Sequence, residues 1–364
     1  MGKLQKILAI AIFGCAIVSA ETVNSSTISY PNLSGETSNS SDSLQHQKQT
    51  KLKFAELVYR GNSLHDEGFY KEAIDAYRQA DSLLPGKSTL QYEIAYSFLM
   101  LGARDSAKIY GLKAIEESKT YDAYNIVGEI YDYEGKLDSS MLYYDRGIEK
   151  YPRTPELYYN KAVALLNHGR SNEAYTTAKQ SLKYTYTHEG SYYLVSDLAF
   201  KRTEWIDFFA NATLSNIVGT TEARINASTK RWTNLLQFFI GEYIRTGSIQ
   251  FNPSPHHVWM QQICIDIKGT AKNDSLMKIL SENVYELTVY ASINALRRAA
   301  ESNYDFELKP MFREIVKNGF EEAYCRYAFS SMDEIASSVW FNLNQKKIEA
   351  FVKWFMENHI NPYN

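Results

Sequence analysis

An all-α architecture, a helical solenoid of short repeats followed by an irregular α-helical domain, is predicted by two periodicities in this sequence. From Phe54 onward the chain resembles itself at a spacing of about 34 residues, the mark of stacked helical pairs. Beyond Trp205 that spacing fades. Apolar residues still recur there at i, i+3, i+4 and i+7, as in Ile348, Phe351, Val352 and Phe355 and, more briefly, in Ile335 with Val339. A chain of 364 residues with 45% apolar composition has material for about two domains of ~150 residues.

Numbering each unit from its first residue, the first begins at Phe54 and places Gly61 at position 8, Leu64 at 11, Ala73 at 20, Tyr77 at 24, Ala80 at 27 and Pro85 at 32. Small residues at 8, 20 and 27 let two antiparallel helices approach, the aromatic at 24 fills the space between units, and the proline ends the second helix. A second unit from Ser88 has Ala95, Phe98, Gly102, Ala107 and Ala114, but Gly111 stands at position 24, so Tyr110 is expected to swing in. The third, from Tyr121, has Tyr124, Gly128, Tyr131, Gly135, Tyr144, Gly147 and Pro152. A fourth from Pro155 supplies Tyr158, Ala162, Leu165, Gly169 and Ala174, with Ala178 in the aromatic's place. A fifth starts near Glu189 with Tyr192, Val195, Ser196 and Ala199, then loses the pattern after Lys201.

These positions resemble the tetratricopeptide repeat (TPR) family over roughly residues 52–202. The resemblance implies a solenoid whose first helices line a concave groove, and a binding scaffold rather than an enzyme, with a protein or peptide as partner. It names no ligand, since one fold serves many functions.

The N-terminus reads as an export signal. Lys3 and Lys6 precede an apolar run, Ile7 to Val18, that is short for a membrane span, and Ser19 and Ala20 offer a cleavage site. Ile12, Phe13, Gly14 and Cys15 also resemble a lipobox, so membrane anchoring through a lipidated Cys15 is the rival reading. Either way the mature chain is expected in the periplasm or at the cell surface. Residues 21–50, rich in Ser, Asn and Thr, read as a disordered tether. The expected division is therefore a signal over 1–20, a tether over 21–50, the array over 51–202 and an α-helical domain over 203–364. In that last part six or seven helices are expected, with Trp205, Trp232, Phe238, Phe239, Trp259, Trp340 and Trp354 in the core. Cys264 and Cys325 are free to pair in an oxidising compartment or to stay as buried thiols.

Chemistry-bearing motifs are incomplete. Gly86, Lys87 and Ser88 end like a phosphate loop, but Asp81 stands where the first glycine belongs. His188 and Glu189 open like a zinc-protease helix, but Tyr192 replaces the second histidine, and adjacent His256 and His257 point about 100° apart on a helix. No Gly-x-Ser-x-Gly elbow occurs. No catalytic residue, metal or cofactor is expected. With 39 basic and 42 acidic residues there is no basic footprint, so no nucleic-acid partner is expected.

Carrying the family's groove positions onto this chain selects Asn62 and Asp66 in the first unit, and Tyr92, Glu93 and Tyr96 in the second. The third offers Asp122, Asn125, Glu129, Asp132 and Tyr133, and the fourth Tyr159 and Asn160. Chaperone-type carboxylate clamps are disfavoured: Val58, Glu93, Asp122 and Ile126 stand at four of the five clamp places, and only Asn62 fits. A Tyr- and acid-rich groove suits a ligand with positive or hydrogen-bonding groups. An envelope protein that captures carbohydrate on aromatic platforms is the alternative.

Overall fold

The computed structural model describes residues 38–360 apart from 87, 118–120, 186, 250–253 and 271–281, so the expected signal, Cys15 and most of the tether lie outside the described residues. Every regular element among the described residues is helical. Contacts divide the described chain into two compact units, the first ending at Thr177 and the second running from Ala178 onward.

The first unit is a run of helical pairs: α1 (Ser38–Asp66) with α2 (Tyr70–Leu83), α3 (Ser88–Met100) with α4 (Arg104–Glu117), α5 (Asp122–Tyr133) with α6 (Leu137–Lys150), then α7 (Pro155–Asn167) and α8 (Ser171–Ser181). α1 begins at Ser38, so the stretch read as tether is helical from there to Thr50. Leu44, Gln45, Gln47, Lys48 and Gln49 are good helix formers and continue without a break into the first repeat.

The position-8 and position-24 residues meet as the periodicity requires. A Cβ on Gly61 would lie 2.4 Å from Cε1 of Tyr77, and one on Gly128 would lie 2.8 Å from Cε1 of Tyr144. Both tyrosines are almost wholly buried. The Tyr77 hydroxyl reaches across and donates to Asn62 Oδ1 at 2.8 Å, so the ring's polar end is satisfied. In the second repeat Tyr110 does not take the place of the missing aromatic. Its ring stacks on Phe98 at 5.5 Å, and Gly111 instead lets Val127 of the next unit approach to 2.8 Å of where its Cβ would be.

One turn recurs between the helices of each pair. At Gly68, Gly102, Gly135 and Gly169 the backbone is left-handed, and the N–H groups of the glycine and the next residue close onto the end of the preceding helix: Gly68 to His65, Phe69 to Leu64, and so on at each repeat. The same pair of bonds closes α9 (Glu189–Lys201) onto α10 (Trp205–Val218), from Thr203 to Phe200 and from Glu204 to Ala199, with Thr203 held at φ 60. Thr203 stands where the fifth unit's glycine is due. The fifth repeat is thus complete in backbone although its side-chain pattern lapses after Lys201. A further copy joins α14 (Lys309–Lys317) to α15 (Glu321–Ala328) through Gly319.

In the second unit α10 is buried along its whole length and is packed by α9, α11 (Glu222–Thr246), α12 (Pro255–Thr270) and α15. A helix surrounded in this way has no polar face to show, which is why it carries no amphipathic period. α13 (Val284–Glu301), α16 (Glu334–Leu343) and α17 (Gln345–Phe355) complete the unit, which holds eight α-helices from Trp205 onward among the described residues. Trp205, Trp232, Trp259 and Phe239 are core residues; against expectation, Trp340 and Trp354 are half-buried and Phe238 is 59% exposed. Cys264 and Cys325 are both buried and unpaired. The α16 row is the other departure. Ile335 and Val339 face outward because Ser337 and Phe341 occupy the core side, where Ser337 Oγ donates to the Tyr285 hydroxyl.

Candidate functional site

The first helices α1, α3, α5 and α7 carry the expected groove residues, and side-chain contacts knit several of them across units. Asn160 Nδ2 donates to Asn125 Oδ1 at 2.8 Å, and Asn167 Nδ2 donates to Asp132 Oδ2 at 2.9 Å. His168 Nδ1 lies 3.2 Å from Asp132 Oδ1. Tyr92 and Tyr96 stack at 6.1 Å, and His65 stacks on Tyr96 at 4.9 Å while its Nδ1 bonds Ser97 Oγ. Tyr133 is exposed, whereas Tyr159 and Asn160 are half-buried. Asn62 is exposed, its Oδ1 accepting from the Tyr77 hydroxyl while its Nδ2 is left to a ligand.

The carboxylates divide into two kinds. Glu134 has Lys108 and Lys136, Asp145 has Lys161, Glu173 has Arg170, and Asp132 has Asn167 and His168. Glu93 and Glu129 are half-buried and have no hydrogen bond or ion pair among the described residues. Burial, then Asp122, then Asp66 push the Glu93 carboxyl above its ordinary range; burial, then Asp132, do the same to Glu129. Burial and the neighbouring acids also raise the Tyr92 and Tyr96 hydroxyls, so both rings stay neutral donors at pH 7. Glu93 and Glu129 are therefore desolvated acids without a cation near the stacked Tyr92 and Tyr96, an arrangement that an entering cation would relieve.

A raised carboxyl value in the folded state means that the ionised group opposes folding above its unfolded value. Glu129→Gln is expected to raise the unfolding midpoint at pH 7. That gain shrinks as pH falls through the raised native value and is gone below the ordinary carboxyl range of about 4.3. Thermal unfolding of both proteins across that interval checks it, and a midpoint lowered at pH 7 refutes the account.

The motif fragments have structural roles. Asp81 Oδ1 accepts from the Gly86 N–H at 3.2 Å in the turn between units. His188 caps α9, its Nδ1 accepting from the Ser191 N–H at 3.2 Å, and Tyr192 is buried. One juxtaposition was not legible: Glu204, Asp207 and His256 bring ligand-type atoms within 4.8 Å of one another. The other donors there are already engaged. Lys179 Nζ lies 3.2 Å from Asp207 Oδ1, the Tyr304 hydroxyl donates to Oδ2 at 2.6 Å, and His256 Nδ1 accepts from the Ile206 N–H at 3.4 Å. Burial holds the His256 imidazole neutral, with its value lowered to about 4. A divalent ion would have to displace the ammonium, so these residues form an internal ion pair, not a metal centre. A cavity of about 770 Å³ also opens between α12 and α13 beside Trp259 and Arg298. Arg298 is held by both Asp266 oxygens, and Trp259 donates to the Ala295 carbonyl and is 4% exposed, so it presents no ring face to a sugar.

Residues 143–176, which run from α6 through α7 into α8, match the tetratricopeptide repeat family. No curated relative matches the chain. Among solved structures, the chain is similar to a thermophilic TPR protein, TTC0263 of Thermus thermophilus, at 16% identity and a TM-score of 0.43, over 49% of this chain and 98% of that one. PilF of Pseudomonas aeruginosa is similar at 16% identity and a TM-score of 0.44, over 52% and 86%. YrrB, described as a TPR protein with an unusual peptide-binding site, is similar at 15% identity and a TM-score of 0.33, over 46% and 87%. The matched unit, the glycine turn repeated at each helical pair and the packing of position 8 on the position-24 tyrosine together make the described array a solenoid of tetratricopeptide-type helical pairs.

Proposed function

We propose that the chain is a non-enzymatic scaffold of the bacterial cell envelope whose TPR groove binds an extended, basic segment of a partner protein. The observation that carries this reading is the pair Glu93 and Glu129, desolvated carboxylates without a cation in an array where Glu134, Asp145 and Glu173 each have one. Desolvated charge of one sign in a lined groove favours a ligand of the other sign and discriminates against acidic ones. Tyr92, Tyr96 and Tyr133 supply flat, amphipathic contact area alongside, and Asp66 and Asp122 extend the negative field. Asn125, Asp132 and Asn160 hold the first helices in register, so they position the groove rather than face the ligand. The export-type N-terminus supports placement outside the cytoplasm. The tryptophans do not favour the carbohydrate reading: Trp205, Trp232 and Trp259 are buried, and Trp340 donates to Glu322 with Arg326 over its ring.

Affinity purification of the chain from its native cells, read by mass spectrometry, tests both parts at once. The recovered chain is expected to begin at Glu21, or at acylated Cys15, and to bring a partner with Lys- or Arg-rich extended segments. Asp122→Lys with Glu129→Lys is expected to lose that partner while keeping its helicity, and wild-type binding is expected to weaken as salt rises. An unprocessed Met1 start would remove the envelope placement. Equal capture by wild type and double variant at low salt would remove the groove.

A further inference from the structure

The outward row of α16 is the least explained surface of the second unit. Ile335 and Leu343 are each 80% exposed and Val339 is 53% exposed, at i, i+4 and i+8 on a helix of ten residues. Exposed Ser338 and Asn342 beside the row are uncharged. Charge appears only at its two ends. Glu334 stands before Ile335, and Lys346 follows Leu343 at the start of α17; both are exposed, and neither has an ion pair among the described residues. The neighbouring Lys347 differs in being held by Glu322.

We propose that this row is the docking surface for a second copy of the same chain, paired antiparallel about a two-fold axis at Val339. The charges choose both the occupant and its direction. An antiparallel copy brings each Glu334 to the end that carries Lys346 of the second copy, and sets the positive N-terminal turn of one α16 beside the negative C-terminal turn of the other. A parallel copy would put like charges and like helix ends together. Two-fold symmetry requires that if residue i meets residue j, then j meets i. Here Ile335 meets Leu343 of the second copy, and Val339 meets its own counterpart, so apolar contacts apolar along the whole row. Three anchors per copy make a contact below the roughly 1,200 Å² of lasting complexes, so the pairing is concentration-dependent.

Sedimentation velocity of the full chain over a concentration series provides the test. The weight-average sedimentation coefficient is expected to rise with concentration for wild type and to stay at the monomer value for Val339→Asp and Leu343→Asp, which sit on exposed sites and leave the fold intact. Glu334→Lys is expected to weaken association about two- to fivefold, as an exposed ion pair would, and Glu334→Lys with Lys346→Glu to restore it. Under mild oxidation Val339→Cys is expected to give a covalent dimer, and Leu142→Cys, exposed on the array, is not. A wild-type chain monomeric throughout the series overturns the proposal and hands the row to a different protein. A dimer unaffected by Val339→Asp, or one that the charge swap fails to restore, overturns it as well.

Discussion

Lys179→Met is expected to destabilise the second unit by about 3–5 kcal/mol, the usual cost of removing one partner from a buried ion pair. Asp207 is 1% exposed and faces Lys179 at 3.2 Å, and Glu307 lies 3.2 Å from the same ammonium. Burial pushes the Asp207 carboxyl up despite that ammonium, so without it the ionised form is left with the Tyr304 hydroxyl alone. Because the native value is raised, the loss is expected to be smaller in acid, where Asp207 takes a proton and no longer needs a cation. Adding Asp207→Asn to Lys179→Met is expected to recover much of the stability. Urea titration at pH 7 measures both variants; an unchanged midpoint for Lys179→Met would show that Asp207 is not dependent on this cation.

Gly128→Leu is expected to unfold or loosen the third repeat at a cost of about 1–3 kcal/mol or more, since overpacking forces neighbours off their rotamers. The first added atom already meets Tyr144 at 2.8 Å, and that ring is 1% exposed with nowhere to retreat. Ala73→Leu, at a site with no exposure, tests the small residue at position 20 of the first repeat by the same logic. Calorimetric midpoints at or above wild type for both would refute the close helix approach.

The repeat was legible because its requirements are local: a small residue receives a tyrosine sixteen positions later, as Gly61 does Tyr77. The fifth repeat was legible only to Lys201 because Thr203 adopts a left-handed conformation that glycine takes at far lower cost, so the turn persists where its sequence mark does not. The row on α16 shows the limit of periodicity, which finds an apolar face but not whether that face turns inward. For the groove, the family's positions located Glu93 and Glu129, but only the packed neighbours make them desolvated and unpaired. The meeting of Lys179, Asp207, His256 and Tyr304 depends on three helices and a loop far apart in sequence, and no spacing rule could announce it.

Two of the three cysteines in the sequence lend the chain an internal reporter. Cys264 and Cys325 both lie in the second unit, and the array between Ser25 and Thr177 contains no cysteine. Burial pushes Cys264 up to about 12 and raises Cys325 as well, so neither is a thiolate, or accessible, while that unit is closed. An alkylating reagent that marks either residue therefore times the opening of the second unit alone. The array between Ser25 and Thr177 contributes no label of its own, so the label reports on the second unit within one intact protein.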